Sequence, residues 1–116
     1  MKKTLLSILF ILSLSLTIAH ASNYGFLASS PMGYLTDADY KLMIAAQKTA
    51  LTRRDGSKVS WSNSKTAASG TITPSNTRQA NGLLCKDLTF FTTAHRLTGQ
   101  STHTFCKYAD GWKATN

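Results

Sequence analysis

The feature that most limits how this chain can fold is a pair of cysteines, Cys85 and Cys106, placed 21 positions apart. Both follow an N-terminal segment with the marks of an export signal, so a disulfide is the expected state of the pair. Two buried free thiols are the alternative. A zinc site fits poorly, because the sequence has no C-x-x-C pair and no histidine at ligand spacing. Closing this loop would stabilise the fold by roughly 3 kcal/mol.

The export signal occupies residues 1–21. It starts with two lysines, continues with an apolar run over residues 5–18 and ends on Ala19-His20-Ala21, a small-x-small cleavage pattern. The run is shorter than the about 20 residues that span a bilayer, which favours cleavage over a membrane anchor. No cysteine lies near the cleavage site to take a lipid. We therefore expect an exported, unlipidated chain of residues 22–116 that does not span the membrane.

The chain carries a strong positive charge. Lys and Arg number 13 against five acidic residues, and every acidic residue is an aspartate. Removing Lys2 and Lys3 with the signal lowers the formal charge from +8 to about +6. Such a charge favours encounters with anionic envelope surfaces, although solubility alone explains it equally well. The basic residues are scattered without a run of five, so we expect no specific nucleic-acid site.

One helix is predicted near the start of the mature chain. It follows an irregular Ser/Gly/Pro-rich arm at residues 22–35. Thr36 is the N-cap candidate, and the two aspartates behind it suit the positive end of a helix. Apolar residues then recur at helical spacing. With the Arg53-Arg54 pair in the last turn and Gly56 at the C-terminal cap, the predicted helix spans about residues 37–54.

The chain after Gly56 has a β-pattern. Alternating, β-branched and aromatic residues predict strands, and small polar residues predict the turns between them. The predicted strands are, in order, one around Val59 and Trp61, "GTITP" ended by Pro74, "LLCKDLTFFTT", "THTFCKYA" and a short last segment from Trp112. The stretch "AHRLTGQS" is the turn of the long hairpin, and Asp110-Gly111 is a strong tight-turn dipeptide. The fold class is therefore α+β, with one N-terminal helix packed on an antiparallel sheet of four to five strands.

Side-chain parity along the long hairpin separates two sheet faces. Cys85 shares its parity with Leu83, Asp87 and Phe91, and Cys106 shares its parity with Thr104 and Tyr108. A disulfide between these strands would fix the register, because a slip of one residue turns the core face outward. We assign the bulkier second face to the helix; it consists of Leu84, Leu88, Phe90 and Phe105.

Five short motifs occur in a familiar order: "LTDADYKLM", "VSWSNS", "SGTITP", "GLLCKDL" and "FCKYADGWKA". Together they resemble the C-terminal domain of the bacterial 17 kDa surface antigen family, over about residues 35–114. The matching residues are Trp61, Asn63, Gly70, Pro74, Gly82, Cys85, Lys86, Cys106, Lys107, Asp110, Gly111 and Trp112. The resemblance implies an envelope protein, with a surface-antigen-like domain at residues 36–116 and no enzymatic activity. The chain lacks the family's lipidated cysteine and glycine-zipper segment, which favours a periplasmic or secreted form over outer-membrane association.

Few residues are candidates for chemistry. His95 and His103 have no partner at metal-ligand spacing, and no catalytic motif is present, so no catalytic, metal or cofactor residue is assigned. Lys86, Lys107 and Trp112 form the candidate binding surface. The alternative is that both lysines lie over apolar neighbours and that Trp112, folded back by the turn before it, belongs to the core.

Two functions remain open at this point. The first is a structural or interaction module of the cell envelope, and the second is a small exported binder or inhibitor of a protein such as a lysozyme or protease. An enzyme is the least favoured class. Either favoured function implies a protein partner, in the envelope or in a host.

Overall fold

The computed structural model of this chain describes residues 30–115. The signal segment and most of the N-terminal arm lie outside these residues. The elements are a 3-10 helix at Pro31–Tyr34, an α-helix, α1 (Asp37–Thr52), and five strands: β1 (Val59–Asn63), β2 (Ala68–Ala80), β3 (Leu83–Ala94), β4 (Leu97–Tyr108) and β5 (Gly111–Ala114). The strands form one antiparallel sheet in chain order. The α+β class is confirmed, but the sheet forms most of the domain and curls into a half-barrel.

Helix α1 begins as its sequence predicts and ends earlier. The Thr36 hydroxyl accepts the Asp39 N–H at 3.2 Å, and the Asp39 carboxylate accepts the Thr36 N–H at 2.9 Å, which makes a capping box. The predicted end at residue 54 is wrong, since Arg53 is already extended at φ −94° and ψ 157°. Lys86 of β3 donates to the Arg53 carbonyl at 2.9 Å, so a lysine from the sheet satisfies the helix end. Gly56, with a φ of +87°, belongs to the next turn.

The core lies between α1 and the inner face of the curled sheet. The helix contributes Met43, Ala46, Ala50 and Leu51, and the sheet contributes Trp61, Ile72, Leu88, Phe90 and Phe105. Three of the four residues assigned to the helix-facing side are therefore placed correctly. Leu84 is the exception at 36% exposure, because it lies near the start of β3 beyond the buried cluster.

The prediction that Pro74 ends the second strand is wrong, because β2 continues to Ala80. The Pro74 carbonyl accepts the Gly56 N–H at 2.8 Å, so the carbonyl points away from β3, toward the loop before β1. Since the N–H and C=O of a strand residue point the same way, the missing proline N–H removes no bond to β3. Two residues later the strand bulges, with Asn76 at a φ of +53°, before pairing resumes at Arg78.

The long hairpin has a tighter turn than its sequence suggests. His95 and Arg96, at φ values of 51° and 62°, form the whole loop, and Ala94 pairs directly with Leu97. The predicted turn over "AHRLTGQS", residues 94–101, is therefore wrong except at His95 and Arg96, because residues 97–101 belong to β4. Cys85 and Cys106 form the predicted disulfide on the face opposite the helix, with a Cα–Cα distance of 4.1 Å. This distance suits a directly opposed pair without ladder hydrogen bonds.

Candidate functional site

The three predicted binding residues lie together on the inner side of the sheet. Trp112 is directly opposite Lys107, and the Lys86 ammonium is 5.9 Å from the centroid of the Trp112 ring. Lys86 is only 6% exposed, and its ammonium is bound to the Arg53 carbonyl. Trp112 is half-buried against the core, whereas Lys107 is exposed. Lys86 therefore caps the C-terminal end of α1, and the Trp112 ring packs over its ammonium group.

The chain reverses before Trp112 one residue earlier than predicted. Ala109 and Asp110 form the turn, and Gly111 begins β5 at a φ of +127°, a conformation that favours glycine. Asp110 also pairs with Lys113 at 3.0 Å across this exposed turn.

A buried carboxylate that sequence reasoning treated only as a helix-end charge is the centre of a network. Asp39 is 0% exposed, and it accepts the Asn63 side-chain amide at 2.7 Å and the Thr66 hydroxyl at 2.8 Å. Burial raises the pKa of Asp39, but these bonds and those from Thr36 outweigh it and lower the pKa. Only the fold brings Asn63 and Thr66 to Asp39, so the sequence around the helix start does not reveal this network.

A second carboxylate network lies on the outer face beside the disulfide. Asp87 accepts the Thr104 hydroxyl at 2.7 Å, the Asn76 amide at 3.1 Å and the Arg78 guanidinium at 3.2 Å. The Thr104 hydrogen bond is the main cause of the lowered pKa of Asp87, and it outweighs the opposing effect of partial burial. This network joins the bulge of β2 to β3 and β4.

The two histidines make unrelated contacts. His95, in the hairpin turn, stacks on the Tyr34 ring with centroids 4.2 Å apart. His103, in β4, lies 3.2 Å from the Ser101 hydroxyl and packs edge-on to Phe90. Within residues 30–115, no group of three or more metal-ligating side chains lies together.

An open cleft of about 340 Å³ separates α1 from β4. It exists because β5 pairs with residues 105–108 of β4 and Thr115 bonds to Thr104, while no other strand within residues 30–115 covers residues 97–103 of β4. Its floor and walls are mainly apolar, and the main lining residues are Met32, Met43, Gln47, Phe90, His103 and Phe105. On the helix side of the sheet, this cleft combines an apolar floor with an open mouth.

The outer face of the sheet is rich in hydroxyl groups. Phe91 lies at its centre with 44% exposure, between two shallow depressions of about 430 and 450 Å³. The side chains form registered rows across the strands: Ser62 with Ser69, Thr93 and Thr98; Ser60 with Thr71, Phe91 and Gln100; and Thr73 with Thr89 and Thr102. Sequence reasoning missed this surface because serine and threonine are abundant throughout the chain.

Comparisons with protein-family models, curated proteins and solved structures gave no match to this chain. The surface-antigen resemblance therefore stays a prediction from motifs. Several of the motif residues have structural contacts: a Cβ at Gly70 would lie 2.6 Å from the Trp61 indole nitrogen, and Asn63 binds Asp39. Within residues 30–115, no helix is long and apolar enough to cross a membrane.

Proposed function

We propose that this protein is an exported interaction module of the cell envelope, without enzymatic activity, that binds another protein through the cleft between α1 and β4. The observation that carries the proposal is the cleft itself. Its floor is formed by the edges of three core residues, Met43, Phe90 and Phe105, which are 7–9% exposed, and its wall includes Met32, which is 37% exposed. Open grooves with a mainly apolar lining and a few polar groups are typical binding sites.

The carboxylate environments support a binding protein over an enzyme. Asp39 and Asp87 have lowered pKa values because several donors point at their oxygens. Groups held ionised in this way are poor proton donors near neutral pH, where general acids and bases need pKa values close to the working pH. Both aspartates act between structural elements, and neither lines the cleft.

Export is part of the same proposal, and the sequence carries it. The signal pattern predicts cleavage after Ala21, so the exported protein should begin at Ser22 without a lipid. Intact-mass measurement of protein from the periplasm or medium tests this, together with fractionation against the outer membrane. A lipid-sized mass increment, or retention of residues 1–21, would contradict it.

Photo-crosslinking in living cells tests the binding site. A photoreactive phenylalanine derivative replaces Gln47 in the cleft, and the matched control carries it at Lys65 in the exposed β1–β2 turn. We expect discrete protein adducts at Gln47 and none of the same mass at Lys65. Identical adducts at both positions, or none at Gln47, would contradict a cleft-based interaction. An adduct with a lysozyme or protease that loses activity when bound would support the inhibitor alternative.

A further inference from the structure

Among residues 30–115, the strand that borders the cleft has a free edge. The Thr104 carbonyl of β4 accepts the Thr115 N–H at 2.9 Å on the side away from β3. Backbone groups of a strand alternate in direction, so those of Thr98, Gln100 and Thr102 point the same way. Strand β5 does not reach these residues, and nothing else within residues 30–115 pairs with their outward N–H and C=O groups.

This edge has little of the protection that sheet edges usually carry. Proteins block exposed edges with charged side chains, prolines, bulges or a covering segment. Residues 97–102 of β4 contain no charge and no proline, and pair in regular register with β3. Pro31 packs over Gly99, which covers the inner face at that point. The next inward residues, Ser101 and His103, line the open cleft.

We propose that the cleft receives an extended segment of another polypeptide, which adds to the free edge of β4 as a sixth strand. This inference rests on the proposed function and specifies its partner. Strand addition satisfies the outward backbone groups of Thr98, Gln100 and Thr102, and the cleft takes the side chains that point inward. A free edge next to an apolar cleft provides both the affinity and the selectivity of this binding mode.

The geometry defines which segment fits. Side chains of an added strand alternate between the two faces of the sheet. The inward ones would lie over Phe90 and Phe105, and the outward ones beside Thr98 and Gln100 on the hydroxyl face. The partner segment therefore alternates apolar residues with small polar ones. The formal charge of about +6 that remains without Lys2 and Lys3 favours acidic residues at its ends.

A second copy of this chain fits the site less well. Pairing of two β4 edges would bring Gly99, Ser101 and His103 of the other copy toward the cleft. These residues are small or polar, so they would not fill its apolar floor. Two copies would also bring the same positive charge together.

Amide hydrogen exchange on the full mature chain tests strand addition. The probe is a ten-residue peptide with two aspartates at each end. Its six central residues alternate leucine and threonine. With peptide at ten times its measured Kd, we expect exchange at Thr98, Gln100 and Thr102 to slow about tenfold. The amides of Ser101 and His103, which already pair with β3, should change little. Binding that leaves the three outward amides unprotected would overturn strand addition while leaving the cleft as a binding site.

Backbone methylation of the probe provides the matched control. One peptide carries N-methyl groups on alternate residues, and a second carries them on the other alternate set, with side chains unchanged. Strand addition predicts that one set abolishes binding and the other leaves it nearly unchanged, because only one set of N–H groups faces β4. Equal loss or equal retention would overturn the proposal.

A variant pair on the protein completes the test. Gln100→Pro removes one outward donor without a bond to β3, and Gln100→Ala keeps that donor while changing the same side chain. We expect at least about tenfold weaker peptide binding for Gln100→Pro than for Gln100→Ala, the factor for one lost hydrogen bond of about 1.4 kcal/mol.

Concentration-dependent dimers with protected edge amides in the absence of peptide would instead identify a second copy as the occupant. Protection that disappears on deletion of residues 22–29 would identify the chain's own arm, and either result would overturn the proposal.

Discussion

The Asn63 side-chain amide donates to the buried Asp39 carboxylate at 2.7 Å, across 24 positions of sequence. Asp39 lies in the first turn of α1, and Asn63 is the last residue of β1. Thr66, in the turn that follows β1, donates to the same carboxylate oxygen. One carboxylate therefore caps the helix and fixes the β1–β2 turn against it, which orients α1 on the sheet.

Asp39→Asn should destabilise the fold by roughly 2–4 kcal/mol. An asparagine has nearly the same shape, but its amide group would face donors from Thr36, Asn63 or Thr66 in place of one carboxylate oxygen. Asp37→Asn, at an exposed position in the same helical turn, is the control and should cost less than about 1 kcal/mol. Urea unfolding of both variants measures the difference. Equal stability of the two variants would contradict the proposed network.

Stability should fall in acid because of the same carboxylates. The pKa values of Asp39 and Asp87 are lowered in the folded chain, so the unfolded chain, with values near 3.9, binds more protons in moderately acidic solution. Their contribution is thus fully present above about pH 5 and is lost as the pH falls through the folded values. Unfolding free energies between pH 2 and pH 7 test this. Asp39→Asn should show a shallower acid decline than the unmodified chain, and an identical slope would contradict a role for Asp39.

The sequence was most informative where one local pattern determines one local structure. Thr36 as the N-cap, with Asp37 and Asp39 in the first turn, predicted the start of α1, because a helix cap needs only neighbouring residues. The expected disulfide likewise placed Cys85 and Cys106 on neighbouring strands, and parity along the hairpin placed Leu88 toward the helix.

Long-range contacts explain the errors. Pro74 normally predicts a strand end, and only its place beside the loop at Gly56 makes it acceptable inside β2. One error was local: the sequence analysis did not use the Asn81-Gly82 pair, a hairpin signal whose residues both have positive φ in the turn between β2 and β3. The cleft had no sequence signal, because it depends on how far β5 extends along β4.

Removal of the disulfide should lower stability by roughly 3 kcal/mol. For a domain of this size that corresponds to a fall in Tm of roughly 12–24 °C. Cys85→Ala combined with Cys106→Ala, compared with the oxidised chain, measures the effect, and mass spectrometry with thiol labelling confirms the starting state. The directly opposed strands should still pair, so the variant should keep its β-sheet circular dichroism at low temperature. An unchanged Tm would show that the disulfide adds nothing to the folded hairpin.

Lys86 and Lys107 should respond differently to the same substitution. Lys86→Met keeps the aliphatic stem but leaves the Arg53 carbonyl without its donor, at a cost of about 1–2 kcal/mol. Lys107→Met removes an exposed charge and should change stability by less than about 0.5 kcal/mol. Thermal melts at equal protein concentration compare the two. A larger loss for Lys107→Met would contradict the assignment of Lys86 as the helix cap.

Trp112→Ala should destabilise the fold by about 2 kcal/mol, less than the 3–5 kcal/mol typical of a fully buried tryptophan. The reason is its intermediate position: the ring packs against the core and covers the Lys86 ammonium, but one side remains in solvent. The control is Tyr108→Ala, which removes an exposed ring near the same β4–β5 turn and should cost less than about 1 kcal/mol. Melting curves and peptide binding are measured on both variants. If Trp112→Ala melts like the unmodified chain but no longer binds the peptide, Trp112 is an exposed recognition residue, and the binding surface extends from the cleft across β5.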